Sequence, residues 1–171
     1  MVQFIAIMLL TDFVQYWLHR AFHRVPALWR FHAVHHSART MDWIAGARMH
    51  FLEIIILRAA TATPALVIGF DESAIQAYVL LVYVYSTFIH GNIGTNFGFL
   101  EKVLVFPRFH HWHHGIEDDA VDVNFAIHFP FLDKLFGTYH LPDGQWPNGY
   151  GVQGHPVPKG YWKQILYPFQ R

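Results

Sequence analysis

The chain has 171 residues, contains no cysteine and is poor in charge. Without cysteine it forms no disulfide, zinc-thiolate site or iron–sulfur cluster, so any bound metal must be held by nitrogen or oxygen atoms. The 12 basic and 12 acidic residues cancel, which leaves no basic excess for nucleic acid, and we predict no nucleic-acid partner. Only 14% of the residues are charged, whereas 53% are hydrophobic and 18% aromatic. This composition favours a protein of the lipid bilayer.

Three apolar stretches are long enough to cross most of a bilayer. They cover residues 1–18, 54–70 and 73–90, and residues 69–73 between the second and third read as a turn. The sequence therefore predicts an all-α integral membrane protein with about three transmembrane helices, one single span and one helical hairpin. Residues 1–171 read as one domain. Because the chain begins inside an apolar run, we expect this domain to be shortened at its amino terminus.

The charges predict which side of the membrane each end of the hairpin faces. The turn carries two acids and no base, whereas basic residues gather beyond the opposite ends of the spans: Arg20, Arg24, Arg30, Arg39, Arg48, Lys102 and Arg108. The positive-inside rule makes that basic side cytoplasmic. Arg58 lies about one turn inside the second span, from where its long side chain could reach the same interface. From Gly91 onward we predict a helical cytoplasmic cap, and the aromatic and basic residues of 161–169 suit the membrane interface.

The sequence is unusually rich in histidine, with 14 residues. They cluster in the boxes HRAFH (19–23), HAVHH (32–36) and HHWHH (110–114), with His90 at the end of the third span. Spacings of three and four place the imidazoles of each box on one helix face, and Pro107 could start the helix of the third box. Since all these clusters reach the same membrane face, a shared metal site explains them better than hydrophobic packing does.

Eight or nine neutral nitrogen ligands are more than one metal can use, so their number indicates two metals. Imidazole binds iron, zinc, copper and nickel alike, and iron is favoured here by redox chemistry beside a lipid. The remaining histidines are weaker candidates. We expect His111 to support the ligands or be exposed, His50 to be structural, and His128, His140 and His155 to be packed or hydrogen-bonded.

Acidic residues near the boxes need separate interpretations. Asp12 lies on the same helix face as His19 and His23, deeper in the span, where its carboxylate could orient a ligand imidazole or line the pocket. A hydrogen bond between helices is an equally good explanation. The acids that follow the third box, Glu117, Asp118, Asp119 and Asp122, are explained mostly by a solvated acidic loop.

These motifs together resemble the fatty acid hydroxylase superfamily, also called the sterol desaturase family, over nearly the whole chain. The resemblance rests on DFVQYWLHRAFH (12–23), LWRFHAVHHS (28–37), RMHFLE (48–53), HGN (90–92), PRFHHWHH (107–114), NF (124–125), DKLFGT (133–138) and QILYPF (164–169). The short gap between the first two boxes distinguishes this pattern from that of acyl-lipid desaturases and alkane hydroxylases.

The resemblance implies a centre of two iron ions, which zinc could replace in purified material. The implied ligands are His19, His23, His32, His35, His36, His90, His110, His113 and His114. Ser86 stands where some fatty acid 2-hydroxylases have a further ligand, so one metal could have one protein ligand fewer. The implied activity is hydroxylation or desaturation of a lipid C–H bond with O2.

The implied reaction needs partners outside this sequence. The chain has neither a cysteine for a cluster nor a glycine-rich nucleotide motif, so we expect electrons to come from a separate reductase or electron carrier. The membrane would be a bacterial inner membrane or the endoplasmic reticulum. The alternative is a non-enzymatic membrane protein that stores or transports metal. Transport predicts ionisable groups throughout the bilayer depth, whereas here only Asp12 lies inside a span away from the histidine side.

Overall fold

A computed structural model describes residues 1–154 and 157–170. It contains seven α-helices: α1 (Val2–Arg24), α2 (Pro26–His36), α3 (Phe51–Ile68), α4 (Glu72–His90), α5 (Pro107–His113), α6 (Phe131–Phe136) and α7 (Tyr161–Leu166). Within the described residues there is no β-strand, and one isolated bridge joins Gly115 to Tyr150. The all-α prediction is therefore confirmed.

Two helices, α3 and α4, are long and apolar enough to cross a membrane. Only 17% and 22% of their apolar windows are buried inside the protein. A core helix of a soluble protein would be buried on most of its surface, so these exposed apolar helices indicate a membrane protein. The turn between them begins at Gly69, whose φ of 81° ends α3 in the left-handed conformation that glycine adopts without strain. Pro64 lies inside α3 without ending it.

The break between α1 and α2 brings the first two histidine boxes together. Val25 is extended, as expected for a residue that precedes proline, and Pro26 starts α2 at a position where its missing N–H costs nothing. The chain therefore turns back immediately after His23, and α2 packs against α1. In the same way Pro107 occupies the first turn of α5, as the sequence predicts.

Helix α1 packs against both α3 and α4. At its start, the Gln3 side chain accepts a hydrogen bond from the backbone N–H of Asp71 in the hairpin turn, at 2.7 Å. Its other end carries His19 and His23, on the same side as His50 before α3 and His90 at the end of α4. A buried core that includes Tyr16, Phe109 and Phe125 packs next to this histidine end.

Candidate metal centre

Nine histidines from four helices converge in two groups. The first group contains five imidazoles: His19, His23, His32, His36 and His113. The second group contains four: His35, His90, His110 and His114. In each group one ring nitrogen per residue lies within 4.8 Å of all the others. These are the nine residues singled out by the sequence, and eight of them are buried.

The second and third boxes each contribute histidines to both groups. His32 and His36 join the first group, whereas His35 between them joins the second. His110 and His114 belong to the second group and His113 to the first. Residues four apart on a helix project in nearly the same direction, and the residue beside them is rotated by about 100°. Each of these two boxes therefore serves two neighbouring sites.

One pair of facing ring nitrogens is not explained by a hydrogen bond within the protein. In the second group, Nε2 of His35 and Nε2 of His90 are 3.2 Å apart. The Nδ1 of His35 donates to the carbonyl of Arg48 at 3.0 Å, and the Nδ1 of His90 donates to the carbonyl of Ser86 at 2.7 Å. A carbonyl only accepts, so both facing Nε2 atoms of the neutral rings carry lone pairs. A cation between them removes this repulsion.

The histidine rings are also uncharged, as binding to a cation requires. Burial is the main cause that lowers the pKa of His35 to about 4, and it also holds the pKa of His113 and His114 well below the usual value. The rings are therefore neutral near pH 7 and present lone pairs instead of charges. In the first group, Nε2 of His36 lies 3.1 Å from Nε2 of both His32 and His113. With metal–nitrogen bonds of about 2.1 Å, such spacings suit ligands that share one ion.

The two groups adjoin each other. The rings of His36 and His114, one from each group, stack with centroids 4.3 Å apart and planes 24° apart. Such proximity, together with all-nitrogen donor sets that suit first-row transition metals, fits a site for two ions side by side. The histidine groups could therefore hold metal ions.

Carboxylates support imidazoles of the first group. Glu53, fully buried on α3, contacts Nδ1 of His32 through Oε1. Asp122 Oδ1 lies 3.4 Å from Nδ1 of His23 and Oδ2 lies 3.1 Å from Nε of Arg24. Such contacts fix the ring orientation and raise the basicity of the ligand nitrogen. Asp122 is thus an exception to the solvated acidic loop expected for most of the four acids after the third box, because it contacts His23 and Arg24 at the end of α1.

Backbone carbonyls orient two further ligands. Nδ1 of His113 donates to the carbonyl of Val123 at 2.8 Å, and Nδ1 of His19 donates to that of Phe125 at 2.9 Å. Asp122 and Asn124, which flank Val123, have φ of 60° and 57°. Residues other than glycine rarely adopt this left-handed backbone conformation, and those that do often lie at functional sites. The strained loop aims its carbonyls at the histidines.

Asp12 binds the continuation of this loop, residues 127–129. Its carboxylate accepts hydrogen bonds from the backbone N–H groups of Ile127 and His128 through Oδ1 and of Phe129 through Oδ2. All three hydrogen bonds go to this segment, and the predicted role of Asp12 beside a ligand imidazole or in the pocket stays a prediction. The face of α1 that bears Asp12 packs against the loop.

Asp133 holds the same loop from the other side. It accepts from the N–H groups of Phe125 and Ala126 and from the Thr138 hydroxyl, at 2.7, 2.9 and 2.7 Å. Sequence reasoning noted Asp133 and Glu53 only as parts of motifs. An acid within an otherwise apolar stretch is the signal that could have selected Glu53.

The other histidines lie outside both groups. His50 caps α3 by accepting from the N–H of Leu52, and its Nε2 donates to the Ile165 carbonyl. His111 is buried and contacts the Tyr150 hydroxyl and the Gly91 carbonyl, so it is not exposed. His128 stacks on Tyr85 and His140 packs edge-on against Trp112. His155 lies outside the described residues.

A cavity of about 230 Å³ connects the histidines to the membrane-facing helices. Histidines of both groups line one end of it, and the rest of the wall comes mainly from α3 and α4. Most of that wall is apolar, with side chains such as Leu57, Val82 and Ile89. A cavity with this lining suits an apolar chain that approaches from the bilayer.

The family model described as "Fatty acid hydroxylase" matches residues 4–138. The chain is 30% identical over 170 residues to ornithine lipid hydroxylase OlsE of Rhizobium tropici, which covers 96% of this chain and 49% of that protein. It is 33% identical over 147 residues to alkylglycerol monooxygenase of Homo sapiens, which covers 86% of this chain and 32% of the relative.

A third relative, a very-long-chain aldehyde decarbonylase of Oryza sativa subsp. japonica, is 29% identical over 80% of this chain and 46% of its own length. The chain thus spans about half or less of the length of these relatives. No solved structure matches. The resemblance predicted from the motifs is confirmed, and the chain belongs to the fatty acid hydroxylase family.

Proposed function

We propose that this chain forms the catalytic domain of a membrane-bound di-iron oxygenase that hydroxylates or desaturates a lipid C–H bond with O2 and external electrons. The observation that carries this proposal is the pair of adjoining histidine groups, with facing lone pairs, at the end of an apolar cavity. The named relatives act on lipids as hydroxylases and monooxygenases, which supports the lipid substrate. We also propose that residues 1–171 form one domain.

The nine histidines would hold two iron ions, which supply the activation of O2. Hydroxylation converts C–H, O2, two electrons and two protons into C–OH and one water; desaturation converts two C–H bonds with the same reagents into C=C and two waters. The chain's own contribution is positional. Glu53 and the loop carbonyls fix the imidazoles, and the apolar wall keeps the reacting C–H bond away from water. A separate reductase or electron carrier supplies the electrons.

We further propose that α1 is a third membrane span. Its apolar residues Ile5, Leu9, Phe13 and Trp17 recur every four positions and are each between 42% and 47% exposed. Such a stripe on one face suits contact with lipid. The exposed Trp162 and Phe169 at the end of the chain suit the interface beside the histidine side.

The basic residues beyond the histidine end support a cytoplasmic orientation of the metal centre. The absence of native cysteine makes this orientation simple to test. A single cysteine at Glu72→Cys in the hairpin turn should react with an impermeant maleimide from the outside of intact cells. One at Arg39→Cys should react only after the cells are opened. The reverse pattern would contradict the orientation.

Metal content and activity of the purified protein test the oxygenase proposal. We expect two irons per chain, and O2 consumption in the presence of a chemical reductant and a lipid extract, with products detected by mass spectrometry. His113→Ala and His35→Ala each remove a ligand from a different group and should abolish activity and deplete iron. His140→Ala, outside both groups, is the matched control. Zinc alone without O2 uptake, or full activity of either ligand variant, would overturn the proposal.

A further inference from the structure

Arg58 is the one Lys or Arg within α3 and α4, the two helices that are long and apolar enough to cross a membrane. It lies on α3 about 10 Å along the helix axis from Phe51, given the 1.5 Å rise per residue. A charged side chain inside an apolar span is costly and marks a functional position. Arg58 is exposed and lines the cavity that leads to the histidines.

Among the described residues, Arg58 contacts an aromatic ring and forms no ion pair. Its Cζ lies 4.8 Å from the ring centroid of Tyr83 on α4, so a cation–π contact holds it between the two helices. None of the ion pairs within residues 1–154 and 157–170 includes Arg58. Glu53 is the one acidic side chain among the described wall residues: its Oε1 contacts His32, its Oε2 is buried without a hydrogen-bond partner, and it forms no ion pair with Arg58. The donors of Arg58 are therefore open to a molecule that enters the cavity.

The other polar side chains of the wall do not compete for this role. The hydroxyls of Thr61 and Thr87 each donate to a backbone carbonyl of their own helix, at 2.8 and 2.9 Å. Arg58 is the one Lys or Arg among the described residues that line the cavity. Its planar donors match a carboxylate or a phosphate, which it can bind through two parallel hydrogen bonds.

We propose that Arg58 binds the anionic oxygen group, carboxylate or phosphate, of the lipid that occupies this cavity. The inference rests on the proposed function and extends it to the class of substrate. Arg58 lies five residues after Glu53, about 8 Å along the axis from the residue that holds His32. A lipid whose anionic group binds Arg58 would therefore place the carbons near that group beside the histidines. The far end of its chain would lie away from them.

Binding of matched amphiphiles to the full chain in an uncharged detergent tests the proposal. The probe is parinaryl alcohol, a neutral fluorescent polyene, and the competitors are oleic acid, oleyl phosphate and oleyl alcohol. We expect at least one of the two anionic competitors to displace the probe at about tenfold lower concentration than the alcohol, as charge-assisted hydrogen bonds predict. The stronger of the two identifies the anionic group.

The variants assign this preference to one side chain. Arg58→Gln should reduce the preference for anions to less than about twofold, whereas Arg58→Lys should retain part of it. Arg39→Gln, a cation outside this cavity, should behave like the unaltered protein. Binding of the neutral probe to every variant shows that the cavity is intact.

Two results would overturn the proposal: equal displacement by all three competitors in the unaltered protein, or an unchanged preference in Arg58→Gln. The experiment involves no reductant or turnover. Its outcome is therefore independent of whether the protein consumes O2. If the protein prefers anions but consumes no O2, the oxygenase proposal fails and the anion-binding proposal stands.

Discussion

Asp12→Asn tests whether one buried carboxylate holds the loop that orients the metal ligands. Asp12 is fully buried and accepts three backbone hydrogen bonds, at 2.8, 3.1 and 2.8 Å. Hydrogen bonds to a charged group contribute about 1.5–3 kcal/mol each. Asparagine keeps one acceptor oxygen but turns its NH2 group toward at least one backbone donor. We expect the free energy of unfolding to fall by about 3 kcal/mol, when one bond is lost and the others are weakened.

The assay is thermal unfolding in detergent, followed by metal retention after exposure to a chelator. For a chain of this size, about 3 kcal/mol corresponds to a decrease in Tm of about 6–12 °C. The loosened loop should also release metal faster, because the Phe125 carbonyl that orients His19 belongs to it. Asp71→Asn is the matched control, since the exposed Asp71 side chain makes no capping hydrogen bond. An Asp12→Asn protein with unchanged Tm and unchanged metal retention would refute the reasoning.

Two further substitutions test residues beside the histidine groups. Glu53→Gln replaces the acid that contacts Nδ1 of His32 with an amide of the same size, so metal affinity in a chelator competition should fall by about 10- to 100-fold; unchanged affinity would refute this role. Gly46→Ala should reduce activity and metal content, because a Cβ there would lie 3.0 Å from Nδ1 of His90. Gly94→Ala, where nothing lies within 4 Å of the added Cβ, should have no effect, and equal behaviour of the two alanine variants would argue against crowding at His90.

The ligand candidates were predictable because they are local patterns. Spacings of three and four on a helix, and prolines that start α2 and α5, place several imidazoles on one face before any tertiary contact is known. The same holds for α3 and α4, whose apolar length is visible in the sequence. The partners of Asp12 were not predictable, since residues 127–129 lie more than a hundred positions away along the chain.

The assignment of histidines to sites also depended on the fold. The sequence groups His32, His35 and His36 as one box, yet His35 faces α4 and its neighbours face α1 and α5. Which neighbour a ring meets depends on how the helices pack around the box. Local spacing fixes only the direction of each side chain relative to its own helix axis.

By itself the sequence determined the all-helical class, the apolar spans, the family and the nine histidines, because each of these is written in composition or in short-range spacing. The tertiary structure alone decided the division into groups of five and four histidines, the contacts of Glu53 and Asp122 with them, and the position of Arg58 at the cavity. Those features arise where distant segments meet, and the packing of α1 between α3, α4 and the loop brings them together.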